Sequence, residues 1–210
     1  SCRGRAGDAD RLMILEPHLP ERIDPHEDSR LVSRIIAVNV FDPLVRAGET
    51  GEPVPGLAST WTNPSPEVWR LQLRPGARFS DGTAVTATDV VRSFERARSR
   101  GSVVAGHLAT VGEVRAEGPG VVTIAPSEGS SVLLQTLTSV LIAREVPERP
   151  EGLRFLGSGP YEVTRLVPGE PDFAPTAGQA LGRHPAPGAP LRAAGPPARA
   201  RGAQPLSRAS

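Results

Sequence analysis

With 210 residues and 38% apolar content, the chain is long enough to bury the core of one large domain or two small ones. A formal net charge of +1 excludes phosphate binding as its main business, and a single cysteine, Cys2, excludes a disulfide framework or a thiolate metal cluster. No apolar run reaches the length that crosses a bilayer. All 24 cationic residues are arginine, a compositional bias that argues against reading any one of them as an anion ligand.

In chain order, residues 1–10 read as a flexible tether and residues 11–16, with Leu12, Met13, Ile14 and Leu15, as a short buried strand. Ile23-Asp24-Pro25-His26 is a turn, because the proline keeps Asp24 out of the helical region. Leu31, Ile35, Val38 and also Ile36 recur at helical spacing over 30–40, which predicts a helix buried on that face and stopped before Pro43. From Val68 to Arg74 the residues alternate, with Trp69, Leu71 and Leu73 on one side of a half-buried strand. Two tight turns follow, at Pro75-Gly76 and around Asp81-Gly82. Thr86 with Asp89 three residues later marks a helix start; Val90, Val91, Phe94 and Ala97 form its inner face, and Arg92, Glu95 and Arg96 face water. Val121–Ala125 is a second strand, Ser131–Ala143 a second amphipathic helix, and Tyr161–Val167 a final strand after Gly157-Ser158-Gly159-Pro160. The resulting class is mixed α+β without a βαβ rhythm. Residues 171–210, with five Arg and one Asp and dominated by Pro, Ala and Gly, show no apolar periodicity and are expected to be unstructured.

Catalytic constellations are scarce. His18, His26, His107 and His184 stand at no metal-ligand spacing, and Gly157-Ser158-Gly159 lacks both the nucleophile-elbow and phosphate-loop patterns. Asp24 and His26 are read as turn residues rather than an acid–base pair, and Trp61 and Trp69 as core rather than a stacking platform. The remaining enzyme reading, a small hydrolase using Ser158 with His26 or His107, is the alternative, beside an inert remnant or interaction module.

Arg70–Ala97, RLQLRPGARFSDGTAVTATDVVRSFERA, resembles the signature of the bacterial extracellular solute-binding proteins of family 5, the peptide and nickel importer class. Ile23–His26, Ala37–Arg46, Glu52–Trp61 and Gly157–Tyr161 resemble further family segments in the family's order. The resemblance implies a non-enzymatic, periplasmic-binding-protein type II clamshell without cofactors. Its lobes would close on a peptide or other small solute and deliver it to a membrane ABC permease. No nucleic acid is implied, and the protein would be a monomer.

By position, the resemblance implies a partial ligand-contacting lobe at 11–41 and 149–170, with a smaller domain of the first lobe at 42–148. It makes Ser29, Ser158 and Gly159 the ligand-binding candidates. Ser1-Cys2 and the small, polar residues after it fit the end of a lipoprotein signal, so Cys2 is the lipidation candidate in a periplasmic or extracellular, lipid-anchored protein. Ser102-Val103-Val104 departs from the Ser-Pro-Tyr common among peptide binders. After Glu170 the pattern ends, and the composition of 171–210 is that expected of a shifted reading frame; the second lobe is then expected to be missing.

Overall fold

A computed structural model describes residues 12–15, 22–99, 101–127, 132–147, 153–165, 172–175 and 191–194. The predicted tether 1–10, with Cys2, lies outside the described residues. Strand β1 (Leu12–Leu15) precedes helix α1 (Leu31–Val40) and the short pair β2 (Val45–Ala47) and β3 (Pro53–Pro55). Next come the hairpin β4 (Ala58–Ser65) and β5 (Val68–Leu73), helix α2 (Ala87–Ala97), a 3₁₀ turn (Ala105–Thr110), and strands β6 (Val111–Ala116) and β7 (Val121–Pro126). Helix α3 (Leu133–Leu137), the pair β8 (Arg144–Glu145) and β9 (Phe155–Leu156), and strands β10 (Tyr161–Arg165), β11 (Asp172–Pro175) and β12 (Leu191–Ala194) complete the described elements.

The central sheet is antiparallel in the order β4-β5-β7-β6. Strand β5 sits inside it and alternates as the sequence predicts: Leu71 and Leu73 are buried, Trp69 is half-buried, and Arg70 and Gln72 are exposed. Trp61 and Trp69 pack against the same core, in agreement with their reading as structural. Helix α2 covers the sheet with Val90, Phe94 and Ala97, all fully buried. Its start is a full capping box: the Thr86 hydroxyl accepts from the Asp89 N–H, and the Asp89 carboxylate accepts from the Thr86 N–H at 2.9 Å. A second sheet has the order β1-β12-β11-β10, with β1 and β12 parallel and the other pairs antiparallel.

Three expectations need correction. Helix α1 exists but, of the expected positions, buries only Ile36. Ser33, Ile36, Ala37 and Val40 face inward, whereas Leu31 is 75%, Ile35 39% and Val38 54% exposed. The small side chains Ser33 and Ala37 let that side approach closely, and Ile36, Ala37 and Val40 share a cluster with Ile23, Phe41, Leu141, Ala143 and Tyr161. The helix predicted over 131–143 is a single turn, α3. The Thr138 and Ser139 hydroxyls donate to the Gln135 and Thr136 carbonyls at 2.7 Å each, and Leu141 is drawn into a bridge with Pro43. Finally, β11 and β12 fall inside the segment for which composition predicts no structure. Backbone pairing to β10 and β1 carries them, and such pairing needs no apolar periodicity.

The buried side chains form two clusters. The larger lies between the central sheet, α2 and α3; the smaller joins α1 to Leu141, Ala143, Tyr161 and Ile23. The junction between them is where the candidate residues lie.

Candidate solute-binding cleft

The segment that enters α1 is built from self-bonding turns. Asp24 Oδ1 accepts from the N–H groups of His26 (2.9 Å) and Glu27 (3.2 Å), the Asx-type turn expected before a proline-fixed bend. Asp28 caps the approach to α1 in the same manner. It accepts from the Arg30 N–H at 2.9 Å, the Ser33 hydroxyl at 2.6 Å, and the Arg30 guanidinium at 2.5 Å. The guanidinium bond, aided by the Ser33 hydroxyl and the Arg30 N–H, outweighs burial and brings the Asp28 carboxyl down to about 2. Ser29, spanned by the Asp28–Arg30 turn, is exposed.

Ser158 and Gly159 are placed differently. Both are buried against the exit of α1, where the Gly159 N–H donates to the Val40 carbonyl at 2.8 Å. A Cβ on Gly159 would lie 2.5 Å from the Asn39 carbonyl oxygen, and one on Gly157 would run into the Val40 carbonyl. The glycines are required by this close backbone approach. The Ser158 hydroxyl donates to Asp42 Oδ2 at 3.5 Å, a long bond, and the side chain is fully buried. No described histidine partners it: His26 is bonded to the Leu141 carbonyl and His107 is exposed. The hydrolase alternative therefore has no nucleophile–base contact to stand on.

A cleft of about 910 Å³ opens between α2 and the segments around β8 and β9. It is lined by Arg92, Arg96, Arg144 and Arg154 against Asp89, Glu95 and Glu145. A smaller cavity of about 210 Å³ adjoins it, shares Arg96, Arg154 and Phe155, and reaches back to Asp24 and Glu27 in the loop before α1. None of Ser29, Ser158 and Gly159 lines either space.

Two charge networks set the walls. Arg144 grips Asp89 through Nε (2.8 Å) and Nη2 (2.6 Å), donates to the Thr83 hydroxyl at 2.7 Å and the Ala84 carbonyl at 3.0 Å, and lies over the Phe79 ring at 4.4 Å. Burial alone would push the Asp89 carboxyl up; the Arg144 guanidinium and both Thr86 donors outweigh it and hold the carboxyl below its ordinary value. Arg96, expected to face water, is half-buried instead. Its Nη2 bonds the Asp24 carboxylate and reaches Glu27 at 3.3 Å, while its guanidinium stacks 4.6 Å over Phe155. Arg92 and Glu95 stand exposed on the cleft wall with no side-chain bond among the described residues. The surface offers paired charges of both signs, suited to a zwitterionic or otherwise polar guest. Sequence reasoning read the Thr86–Asp89 cap but not its arginine, which is 55 residues away with no local signal.

The mixed α and β body is that of a partial periplasmic-binding-protein type II clamshell, matching such structures over about two-fifths of their length. MppA, a periplasmic murein tripeptide-binding protein solved in its unliganded open form, has a similar fold. The TM-score is 0.75 at 21% identity over 89% of this chain and 41% of that one. NikA from Brucella suis, solved with Fe(III)-EDTA, matches with a TM-score of 0.74 at 21% identity over 90% of this chain and 40% of that one.

The chain belongs to the bacterial extracellular solute-binding proteins of family 5, whose middle-region model matches residues 52–171. This is a family of binding proteins and not of enzymes. Among curated relatives, the periplasmic oligopeptide-binding protein OppA of Escherichia coli K12 is 38% identical over 76 residues, 36% of this chain and 14% of that protein. The chain thus spans about two-fifths of the length of the solved structures it matches.

Proposed function

We propose that this chain forms one wall of the solute-binding cleft in the substrate-binding component of an ABC importer, capturing peptides or related small solutes and passing them to a membrane permease. The family match over 52–171 carries this reading, and the likeness to a relative named for oligopeptide binding supports the solute class. Ser29, exposed within the Asp28–Arg30 turn and outside the charged cleft, is the residue offered to solute. Ser158 and Gly159 fix the return segment against the opposite end of α1 from Ser29. The chain divides into a solute-contacting part at 11–41 and 149–170 and a smaller domain at 42–148; the two core clusters follow that division except at Leu141, Ala143 and Leu156, which pack across it. The protein acts as a monomer outside the cytoplasmic membrane, without cofactor or nucleic acid, anchored through a lipid on Cys2.

Isothermal titration with tri- and tetrapeptides, and separately with Ni²⁺, tests the solute reading. A complete micromolar site supplies about −8 kcal/mol, so a wall making half the contacts supplies about −4 kcal/mol and a millimolar Kd. Saturable millimolar binding is the expected result; nanomolar binding by this chain alone, or none at 10 mM ligand, refutes it.

A further inference from the structure

The function above makes no use of His26, the one fully buried ionisable ring among the described residues. Of its three polar links, two run to separate parts of the molecule and one stays within its own loop. Nε2–H donates to the Leu141 carbonyl at 2.9 Å, the backbone carbonyl accepts from the Val103 N–H at 2.8 Å, and the backbone N–H donates to Asp24 at 2.9 Å. The residue therefore fastens the loop before α1 to the segment after α3 through its ring and to the chain after α2 through its backbone carbonyl. Because Leu141 O accepts, the bonded tautomer carries its hydrogen on Nε2, and Nδ1 is a bare lone pair. That Nδ1 is buried with no hydrogen-bond partner.

We propose that His26 is an acid-sensitive latch: a proton taken from solvent at Nδ1 places a donor and a charge where the fold supplies no acceptor, and the loop over 23–30 is released from Leu141 and Val103. The charged groups facing the ring are Asp24 on its own loop, which favours the cation, and Arg96 on α2, which opposes it. Asp24 is itself bonded to Arg96 and to two backbone N–H groups, and neither its pull nor the Leu141 bond overcomes the burial of the ring. The other two segments that His26 fastens present Ser102-Val103-Val104 and Leu141-Ile142-Ala143, none of them ionisable. Burial, the dominant influence, keeps the ring neutral below its ordinary range, so the latch opens only in acid.

The released element bears Ser29, but the latch does not depend on what Ser29 binds. The test uses the whole chain: imidazole NMR titration from pH 8 to 4.5, with amide exchange corrected for intrinsic rates. The His26→Gln variant, which keeps a donor for Leu141 and cannot titrate, assigns the signal. As His26 titrates, the Val103 amide is expected to lose at least tenfold protection while Leu71 and Val122 in the central sheet keep theirs. The variant should hold Val103 protected throughout. The proposal is overturned if Val103 stays protected after His26 is charged, if the sheet opens together with the loop, or if the variant loses protection in parallel with the natural chain. Should His26→Gln not fold, the natural chain alone decides, because both readouts come from one sample.

Discussion

Asp89 is the most demanding polar group in the fold, and replacing its partner, Arg144→Met, isolates what the pair contributes. The carboxylate is 5% exposed and accepts four donors, two from Arg144 and two from Thr86. Stripping one member from a buried pair costs about 3–5 kcal/mol. Arg144 is 26% exposed, so water reaches the vacated side and screens the orphaned charge, which lowers the expected loss to about 2 kcal/mol. Loss of the guanidinium over Phe79 adds about 0.5–1 kcal/mol. With a urea m-value of about 2 kcal/mol/M, the midpoint should fall by roughly 1–1.5 M, followed by the fluorescence of Trp61 and Trp69. Asp89→Asn combined with Arg144→Met should cost about 1–2 kcal/mol less than the two single changes together, since neither then leaves a charge unpaired. The sign of the pH dependence follows from the depressed carboxyl. Its contribution is complete above the unfolded value of about 4 and is lost as pH falls through the lower folded value. Arg144→Met should flatten that acid limb. Additive single effects, to within about 0.5 kcal/mol, or an unchanged acid limb would refute the reasoning.

Further outcomes follow from packing. Gly159→Ala places a methyl 2.5 Å from a backbone oxygen and should cost about 3 kcal/mol or more, or prevent folding, measured by thermal unfolding. Leu31→Ser should change stability by less than about 0.5 kcal/mol, whereas Ile36→Ala should cost about 2–4 kcal/mol, because only the second side chain lies in the core. Thr86→Ala removes the cap of α2 and a donor to Asp89 and should cost about 1–2 kcal/mol by urea unfolding.

What could be read from the sequence was the part whose pattern has one physical solution. Strand β5 alternates without interruption, and α2 carries both a capping pair and a single apolar face, so each was placed within a residue or so. Helix α1 is apolar on two faces, and periodicity alone does not say which one meets a neighbour; Ser33 and Ala37, the small residues, held the clue. Strand β6 escaped because a bulge between Val111 and Val114 puts its two buried valines three residues apart, not two. Strand β4 escaped because it is an edge strand that tolerates Asn63 and Pro64. The family segments identified the fold because they are themselves turns, caps and close approaches: Asp81 accepting from the Thr83 N–H, Thr86 capping α2, and Gly157 and Gly159 against Val40. The cleft was not legible. Its walls join Arg96 to Asp24 and Arg144 to Asp89, pairings 72 and 55 residues apart that only the folded chain creates.

Amide NMR of the full chain during titration with a tripeptide tests the central claim most directly. The account predicts fast-exchange shifts at millimolar peptide, concentrated at Ser29 and its neighbours in the 24–30 loop and continuing toward 157–159. Shifts confined to the far edge of the central sheet, or no shifts at 10 mM peptide, would contradict it.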